Sequence, residues 1–477
     1  MTFRRLSPAL FAALALSAAL RADPPPGLKF PPLEFVPPKV ETRLLSNGAT
    51  VFILADHELP LVNVTAVFRG GSAYEPADRA GLTDLAGTMI RAGGTRSRKP
   101  EDMDETLEFI GASVETGIGA EQASASLSVL KKDLKVGLEI FADVLRNPAF
   151  RGKNLAVEKA KMIEGIRRRN DDPFGIARRE LRKMVYGPDH PLAAVPEIPA
   201  VKKYSRKDVE KRYERYFHPD NMRLAVSGDA DPDEIVRYLE EVFQGWKAGM
   251  APLPEPKSID PRARDLALAR TARLVGYAPK DLNQTTILLA HLGIKRHNPD
   301  RFALEVLNEI LGGSSLSSRL FKEVRSRRGL AYWVGSSFSE PWDYGTIAAG
   351  CQTKSESAPQ AARSILAEIE RMRTEKVGAD ELELAKQAIA NSFIFRYASS
   401  HAVASERMSL EFYGYPPDYL DKYVPRILAV TADDILDAAK KYLRPGAMVL
   451  MAVGPSSGEG GLKEFGIPAR VDIRIPE

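Results

Sequence analysis

The chain is poor in the residues that would bring disulfide, histidine-metal or nucleic-acid chemistry. It has one cysteine, Cys351, so no internal disulfide can form and no cysteine near the amino terminus can carry a lipid. Six histidines are scattered along the chain, and no two of them stand four residues apart. Its 67 basic and 63 acidic residues are mixed, and its aromatic residues do not alternate with Lys or Arg. Nucleic-acid binding is therefore not expected.

The chain has one long apolar run, and it lies at the amino terminus. Arg4 and Arg5 precede a run of about 15 apolar residues, shorter than the roughly 20 that span a bilayer. Small residues follow, so residues 1–22 are predicted to be a secretory signal peptide, cut near Ala19 or Ala22. An export signal without disulfides favours a periplasmic protein. An anchor formed by an uncleaved signal is the alternative.

Two proline-rich stretches divide the remaining chain. Residues 23–40 are predicted to be an extended lead-in, and residues 249–265 a linker between halves at 41–248 and 266–456, with a loose tail at 457–477. The two halves appear related, because YFHPDNMRLAVSGD from Tyr216 recurs as YLRPGAMVLMAVGP from Tyr442, 226 residues later. Strand and helix patterns alternate in both, so the sequence predicts an α+β protein with two homologous halves.

A helix predicted within Gly81–Thr95 has apolar residues at helical spacing. It resembles the zinc helix of the insulinase-like (M16) metallopeptidases, G-L-x-H-x-x-E-H-M followed by G-T. The matching residues are Gly81, Leu82, Met89, Gly94 and Thr95. The two histidine positions, however, hold Asp84 and Thr88, and the position of the general-base glutamate holds Gly87. The glycine, apolar and threonine positions of the motif therefore match, but its two zinc ligands and its general base are absent.

The third zinc ligand of that family, a glutamate on a later helix, is also missing. The corresponding stretch is EKAKMIEGI from Glu158, followed by Asp172 and Pro173. The resemblance assigns Glu158 to the retained outer glutamate and Gly165 to the ligand position, while Glu164 lies one residue from the required helical face. No metal is therefore expected on this chain.

The stretch Leu320–Phe338, LFKEVRSRRGLAYWVGSSF, is similar to the motif of the second half of M16 proteins. There, an arginine and a tyrosine seven residues later bind the substrate backbone and the carbonyl that is attacked. The resemblance assigns these roles to Arg325 and Tyr332. From the residues alone, another interpretation stays open, in which Arg325 belongs to a solvated, arginine-rich helix end and Tyr332 is a half-buried strand residue.

The resemblance implies two halves, each an antiparallel sheet backed by helices, that face each other as a clamshell around an unfolded peptide. It implies a non-catalytic, substrate-binding subunit of an exported heterodimeric zinc metallopeptidase, inactive alone. Its partner, a zinc-bearing M16 homologue, would supply the zinc. One alternative is a scaffold or peptide-binding homologue with no role in proteolysis. Another is a stand-alone metallopeptidase with an unusual metal site at Asp84, Glu158 and Glu164, although it would lack a base at position 87.

Overall fold

A computed structural model describes residues 37–249, 251–253, 256–261 and 273–476. The predicted signal peptide, most of the proline-rich lead-in and part of the linker lie outside these residues. Among the described residues, no helix combines the length and the apolar character that crossing a membrane requires.

The first half contains one six-stranded sheet of described strands, in the order β1-β2-β6-β3-β5-β4. Its strands are β1 (Glu41–Leu44), β2 (Thr50–Ala55), β3 (Leu61–Arg69), β4 (Ser113–Ile118), β5 (Gln122–Leu130) and β6 (Met222–Gly228). Its helices are α1 (Leu82–Ala92), α2 (Pro100–Phe109), α3 (Leu134–Arg146), α4 (Gly152–Arg168), α5 (Pro173–Tyr186), α6 (Ile198–Lys203), α7 (Arg206–Tyr216) and α8 (Pro232–Phe243).

The second half repeats this arrangement, with the described strands in the order β12-β7-β11-β8-β10-β9. Its strands are β7 (Val275–Pro279), β8 (Gln284–Leu292), β9 (Ala331–Phe338), β10 (Thr346–Lys354), β11 (Val449–Gly454) and β12 (Pro468–Arg470). Its helices are α9 (Arg301–Asn308), α10 (Ala358–Thr374), α11 (Ala379–Phe395), α12 (Ser400–Phe412), α13 (Tyr419–Ala429) and α14 (Ala432–Tyr442). Two segments are π-helical, Glu309–Gly313 and Phe321–Arg327.

The duplication is visible in the helix ends. Ser205 caps α7 with a capping box to Asp208, and 226 residues later Thr431 caps α14 with the same box to Asp434. In each box a hydroxyl and a carboxylate satisfy backbone N–H groups that the first turn of a helix leaves free. The predicted α+β class with two related halves is confirmed.

Two expectations about the sheets need correction. The sheets are mixed rather than wholly antiparallel. Strand β6 lies between β2 and β3 and runs parallel to β2, and strand β11 lies between β7 and β8 and runs parallel to β7. The stretch from Ser456 is not a loose tail. Leu462 is fully buried, and β12 pairs in parallel with β7 as the edge strand of the second sheet.

Each half places one helix on the sheet of the other half. Helix α5 begins at Pro173, with the Asp172 carboxylate accepting hydrogen bonds from the Phe174 and Gly175 nitrogens. Its buried face packs on the second sheet. Conversely, α12 packs its buried face against β2 and β6 of the first sheet. This exchange places α5 between the two halves.

A buried carboxylate also joins the halves. Asp343 is fully buried and accepts hydrogen bonds from Ser258 Oγ (2.6 Å) and from His190 Nε2 (3.2 Å). The ammonium group of Lys295 lies 3.1 Å from it. Burial raises the pKa of Asp343, but the hydrogen bonds from His190, Ser258 and the backbone outweigh it and hold the pKa below its usual value. The first half, the described part of the predicted linker and the second half therefore meet at one carboxylate.

Candidate functional site

Helix α1 presents Asp84 and Thr88 on its one solvent-facing side. The Thr88 hydroxyl donates to the Asp84 carbonyl oxygen (3.2 Å), a bond within the helix. The Asp84 side chain reaches solvent from a concave wall, where partial loss of hydration raises its pKa. The two positions thus share a face, as ligands four residues apart would, but their chemistry is that of a carboxylate and a neutral hydroxyl.

Gly87, at the position of the general base, does not face the cavity. It is buried against the edge strand β4, where a Cβ atom at position 87 would lie 2.5 Å from the Ile118 nitrogen. The Thr116 hydroxyl donates to the Gly87 carbonyl oxygen (2.8 Å) and fixes this contact between α1 and β4. The backbone of β4 therefore occupies the space that a longer side chain would need.

The positions predicted on α4 lie opposite α1. Glu158 is mostly buried and pairs with Lys161 at 2.7 Å, whereas Glu164 pairs with Arg168 at 2.8 Å. Gly165 is exposed, and a Cβ atom there would meet no atom within 4 Å. Asp84, Thr88, Glu158 and Gly165 line one cavity of 610 Å³. The structure thus brings these four predicted positions together, whereas Gly87 and Glu164 do not line the cavity.

This set of donors does not fit a catalytic zinc ion. Such a site needs three nitrogen, oxygen or sulfur ligands within tetrahedral reach. The cavity offers the Asp84 carboxylate, the Glu158 carboxylate, which pairs with Lys161, and the Thr88 hydroxyl, which donates to a carbonyl oxygen of its own helix. Among the described residues, no group of three His, Cys, Asp or Glu side chains could hold a metal ion.

The second predicted site lies at the start of β9. The guanidinium of Arg325 is over the rings of both Phe321 and Tyr332, 5.0 and 5.1 Å from their centroids. Its neighbours Arg327 and Arg328 both pair with Glu323, each at 2.7 Å. In the described part of the chain, Arg325 therefore differs from these two arginines because it forms no ion pair.

The turn between Arg325 and Tyr332 has a backbone fixed by hydrogen bonds. Gly329 has φ = 62°, a conformation that residues with a side chain rarely adopt, and it reverses the chain after the π-helical segment. The Leu330 nitrogen then donates to the Val324 carbonyl (2.9 Å), and the Leu330 carbonyl accepts from the Thr353 hydroxyl (2.6 Å). Both ends of the turn are thus fixed, while the Tyr332 side chain stays 78% exposed.

Arg325 and Tyr332 line a second cavity, of 460 Å³, whose other wall comes from the first half. That wall is helix α5, which contributes Phe174, Arg178 and Arg182. Phe174 meets Trp333 edge to face at a ring distance of 5.5 Å. Arg178 and Arg182 line the cavity with Asp84 as well, so the two predicted sites share one wall.

Sequence reasoning missed this wall. Arg178 and Arg182 stand one helical turn apart on the exposed side of α5, opposite the buried Ile176 and Ala177. Helical periodicity could have separated the two faces. It could not have shown that the buried face packs on the sheet of the other half.

Comparisons with known proteins agree with this architecture. The family model described as "Insulinase (Peptidase family M16)" matches residues 50–189, and the one described as "Peptidase M16 inactive domain" matches residues 203–389. An "Uncharacterized zinc protease" of Rickettsia felis is 27% identical over 407 residues, 83% of this chain and 93% of that protein.

Solved structures show the same fold. A crystal structure described as a peptidase M16 inactive domain, from Pseudomonas fluorescens, aligns with a TM-score of 0.77 and 25% identity. The alignment covers 87% of this chain and 98% of that one. A protease from Helicobacter pylori also aligns with a TM-score of 0.77, at 19% identity, over 88% of this chain and all of that one. The chain belongs to the M16 (insulinase-like) peptidase family.

Proposed function

We propose that this protein is the non-catalytic, substrate-binding subunit of an exported, periplasmic heterodimeric M16 zinc metallopeptidase. Its substrates would be peptides or unfolded segments. One observation carries the proposal. Arg325 and Tyr332 are held side by side at one cavity, while the zinc positions, in the neighbouring cavity that shares helix α5, provide no ligand set.

The chemistry of the pair suits a peptide carbonyl. A guanidinium offers planar N–H donors to backbone oxygens, and a phenol can donate to an oxygen that gains negative charge as the carbonyl is attacked. Arg325 would orient the peptide backbone, and Tyr332 would donate to the scissile carbonyl. The guanidinium lies over two aromatic rings, and the attraction between the cation and these rings favours this position before a substrate binds.

The other requirements of peptide hydrolysis would come from the partner, a zinc-bearing M16 homologue. That subunit would supply the metal, the activated water and an edge strand to which the substrate adds. The resemblance to proteins named zinc proteases, and to one described as an inactive domain, supports a division of labour within the family.

The test is to mix the protein with an M16 homologue from the same organism that carries an intact H-x-x-E-H motif. Arg325→Ala and Tyr332→Phe are each expected to lower kcat for peptide cleavage by about 100-fold, as expected for loss of a donor to the reacting carbonyl. Arg327→Ala is the control, because Arg327 is 75% exposed and pairs only with Glu323 among the described residues. Cleavage that is the same for all three variants would contradict the shared site.

The same experiment distinguishes the scaffold alternative. A scaffold would still form the complex, but the peptide would bind equally well to Arg325→Ala and to the unmodified protein. Measuring peptide binding to the mixed complex in the presence of a chelator therefore separates loss of substrate contact from loss of assembly.

A further inference from the structure

Two arginines on the shared wall are without a counter-charge. Arg178 and Arg182 are solvent-exposed on α5, and neither forms a hydrogen bond or an ion pair with any residue that the structure describes. Their neighbours on α5 differ. Arg179 binds Glu180 and Asn170, each at 2.8 Å, and Lys183 binds Glu180 at 3.1 Å.

The carboxylates near this wall are already engaged. Glu180 is held by two cations, Glu197 pairs with Arg169 at 2.9 Å, and Glu158 pairs with Lys161 at 2.7 Å. Asp84 shares the larger cavity with the two arginines, but its carboxylate forms no ion pair with either of them, and loss of hydration raises its pKa. The wall therefore keeps a surplus of positive charge.

The position of the two arginines makes this surplus costly without a ligand. Like charges four residues apart on a helix repel each other. The pKa of Arg182 is lowered, first by loss of hydration and then by the charge of Arg178. Arg325 adds a third guanidinium on the opposite wall of the smaller cavity. An anionic ligand between the walls would relieve this repulsion.

We propose that the cavity selects peptide segments with two carboxylates on the same side of an extended backbone, Asp/Glu-x-Asp/Glu, bound by Arg178 and Arg182. This inference rests on the proposed function, which places a peptide at Arg325. In an extended peptide, residues i and i+2 lie roughly 7 Å apart on one side. Residues i and i+4 of a helix lie about 6 Å apart, so the two spacings match. Each guanidinium can hold a carboxylate through two parallel hydrogen bonds.

The rest of the cavity suits the residue between the two acids. Phe174 and Trp333 form an aromatic corner beside the arginines. An apolar side chain pointing away from the arginines could pack on Trp333, which lies on the wall opposite α5, while the backbone stays within reach of Arg325. The predicted ligand is thus an acidic stretch of unfolded polypeptide with an apolar residue between the acids.

The experiment measures binding of three labelled peptides by fluorescence anisotropy at low salt, with the full-length protein. The peptides share one backbone and contain Glu-Leu-Glu, Gln-Leu-Gln or Glu-Glu-Leu. The Glu-Leu-Glu peptide is expected to bind at least about tenfold more tightly than Gln-Leu-Gln. It is also expected to bind more tightly than Glu-Glu-Leu, whose acids point to opposite sides. The preference is expected to weaken as salt screens the charges.

The variant R178Q/R182Q is expected to bind all three peptides as weakly as the unmodified protein binds Gln-Leu-Gln. The control is R206Q/R237Q, which removes the same charge from the exposed faces of α7 and α8 and is expected to keep the preference. Thermal melts of both variants establish that they fold.

Two outcomes overturn this inference in distinguishable ways. If Glu-Leu-Glu and Gln-Leu-Gln bind equally, or if R178Q/R182Q keeps the preference, the selection of acidic segments is wrong while peptide binding stands. If none of the peptides binds, and Arg325→Ala leaves peptide cleavage by the mixed complex unchanged, both this inference and the proposed function are wrong. Displacement of both acidic peptides by millimolar inorganic phosphate, with no effect of acid spacing, would indicate a general anion site and would also refute the proposal.

Discussion

The closed position at Gly87 predicts that one substitution cannot restore the missing base. A Cβ atom at position 87 would lie 2.5 Å from the Ile118 nitrogen and 2.9 Å from the Gly117 carbonyl carbon, both in the backbone of β4. Gly87→Glu must therefore push α1 and β4 apart. Overpacking of this kind costs about 1–3 kcal/mol, and loss of the hydrogen bond from Thr116 costs about 1 kcal/mol more. Replacing a glycine within a helix by glutamate returns about 0.5 kcal/mol.

The expected net effect is a loss of about 1.5–3.5 kcal/mol in the free energy of unfolding. Gly165→Glu is the matched control, since it makes the same substitution in α4, where a Cβ atom meets nothing within 4 Å. Helix propensity alone predicts a gain there of about 0.5 kcal/mol. Urea unfolding followed by tryptophan fluorescence measures both. If Gly87→Glu is as stable as Gly165→Glu, the steric argument is wrong.

Two further predictions concern buried carboxylates. Burial raises the pKa of Glu75 to about 7 despite its hydrogen bonds from Thr83, so the folded protein holds this proton more tightly than the unfolded chain does. The free energy of unfolding is therefore expected to fall by up to about 3 kcal/mol as pH rises from about 4.5 to 7. Glu75→Gln should remove this part of the pH dependence. If the free energy of unfolding of Glu75→Gln changes with pH as that of the unmodified protein does, the prediction is wrong. Asp343→Ala leaves His190 and Lys295 without their shared acceptor and should lower the free energy of unfolding by about 3 kcal/mol. The control Asp233→Ala, at an exposed site, should change the free energy of unfolding by less than about 0.5 kcal/mol. Equal effects of the two substitutions in urea titrations would refute the role of Asp343 in joining the two halves.

Features determined by local sequence could be predicted. The turn between β1 and β2 is predictable from the pair Asn47-Gly48, because such a pair is typical of a hairpin and Gly48 supplies the positive φ, here 93°, that the turn needs. The duplication is also visible locally in the capping boxes at Ser205 and Thr431, because each depends on two residues three positions apart. These signals lie within a few residues, so a sequence shows them directly.

Features that depend on distant pairing could not be predicted. Strand β12 is three residues long and is recognisable only through its pairing with β7. The exchange of α5 and α12 between sheets depends on packing that periodicity does not encode. Arg178 was therefore missed as part of the candidate site.

The candidate site shows the same division. The resemblance of Leu320–Phe338 to the M16 motif allowed Arg325 and Tyr332 to be singled out, and the structure places the guanidinium over the phenol ring. The sequence could not show that Arg327 and Arg328 bind Glu323 while Arg325 faces a cavity. It also could not show that position 87 is closed by a strand, because the Ile118 contact joins separate elements.

The central claim is that this chain binds a peptide without providing the metal chemistry that cuts it. The most direct measurement is titration calorimetry of an unfolded peptide into the purified protein in the presence of a chelator, with hydrolysis followed in parallel. We predict that the peptide binds, that Arg325→Ala weakens binding, and that no product forms with or without the chelator. Hydrolysis by the protein alone that stops when the chelator is added would contradict the account.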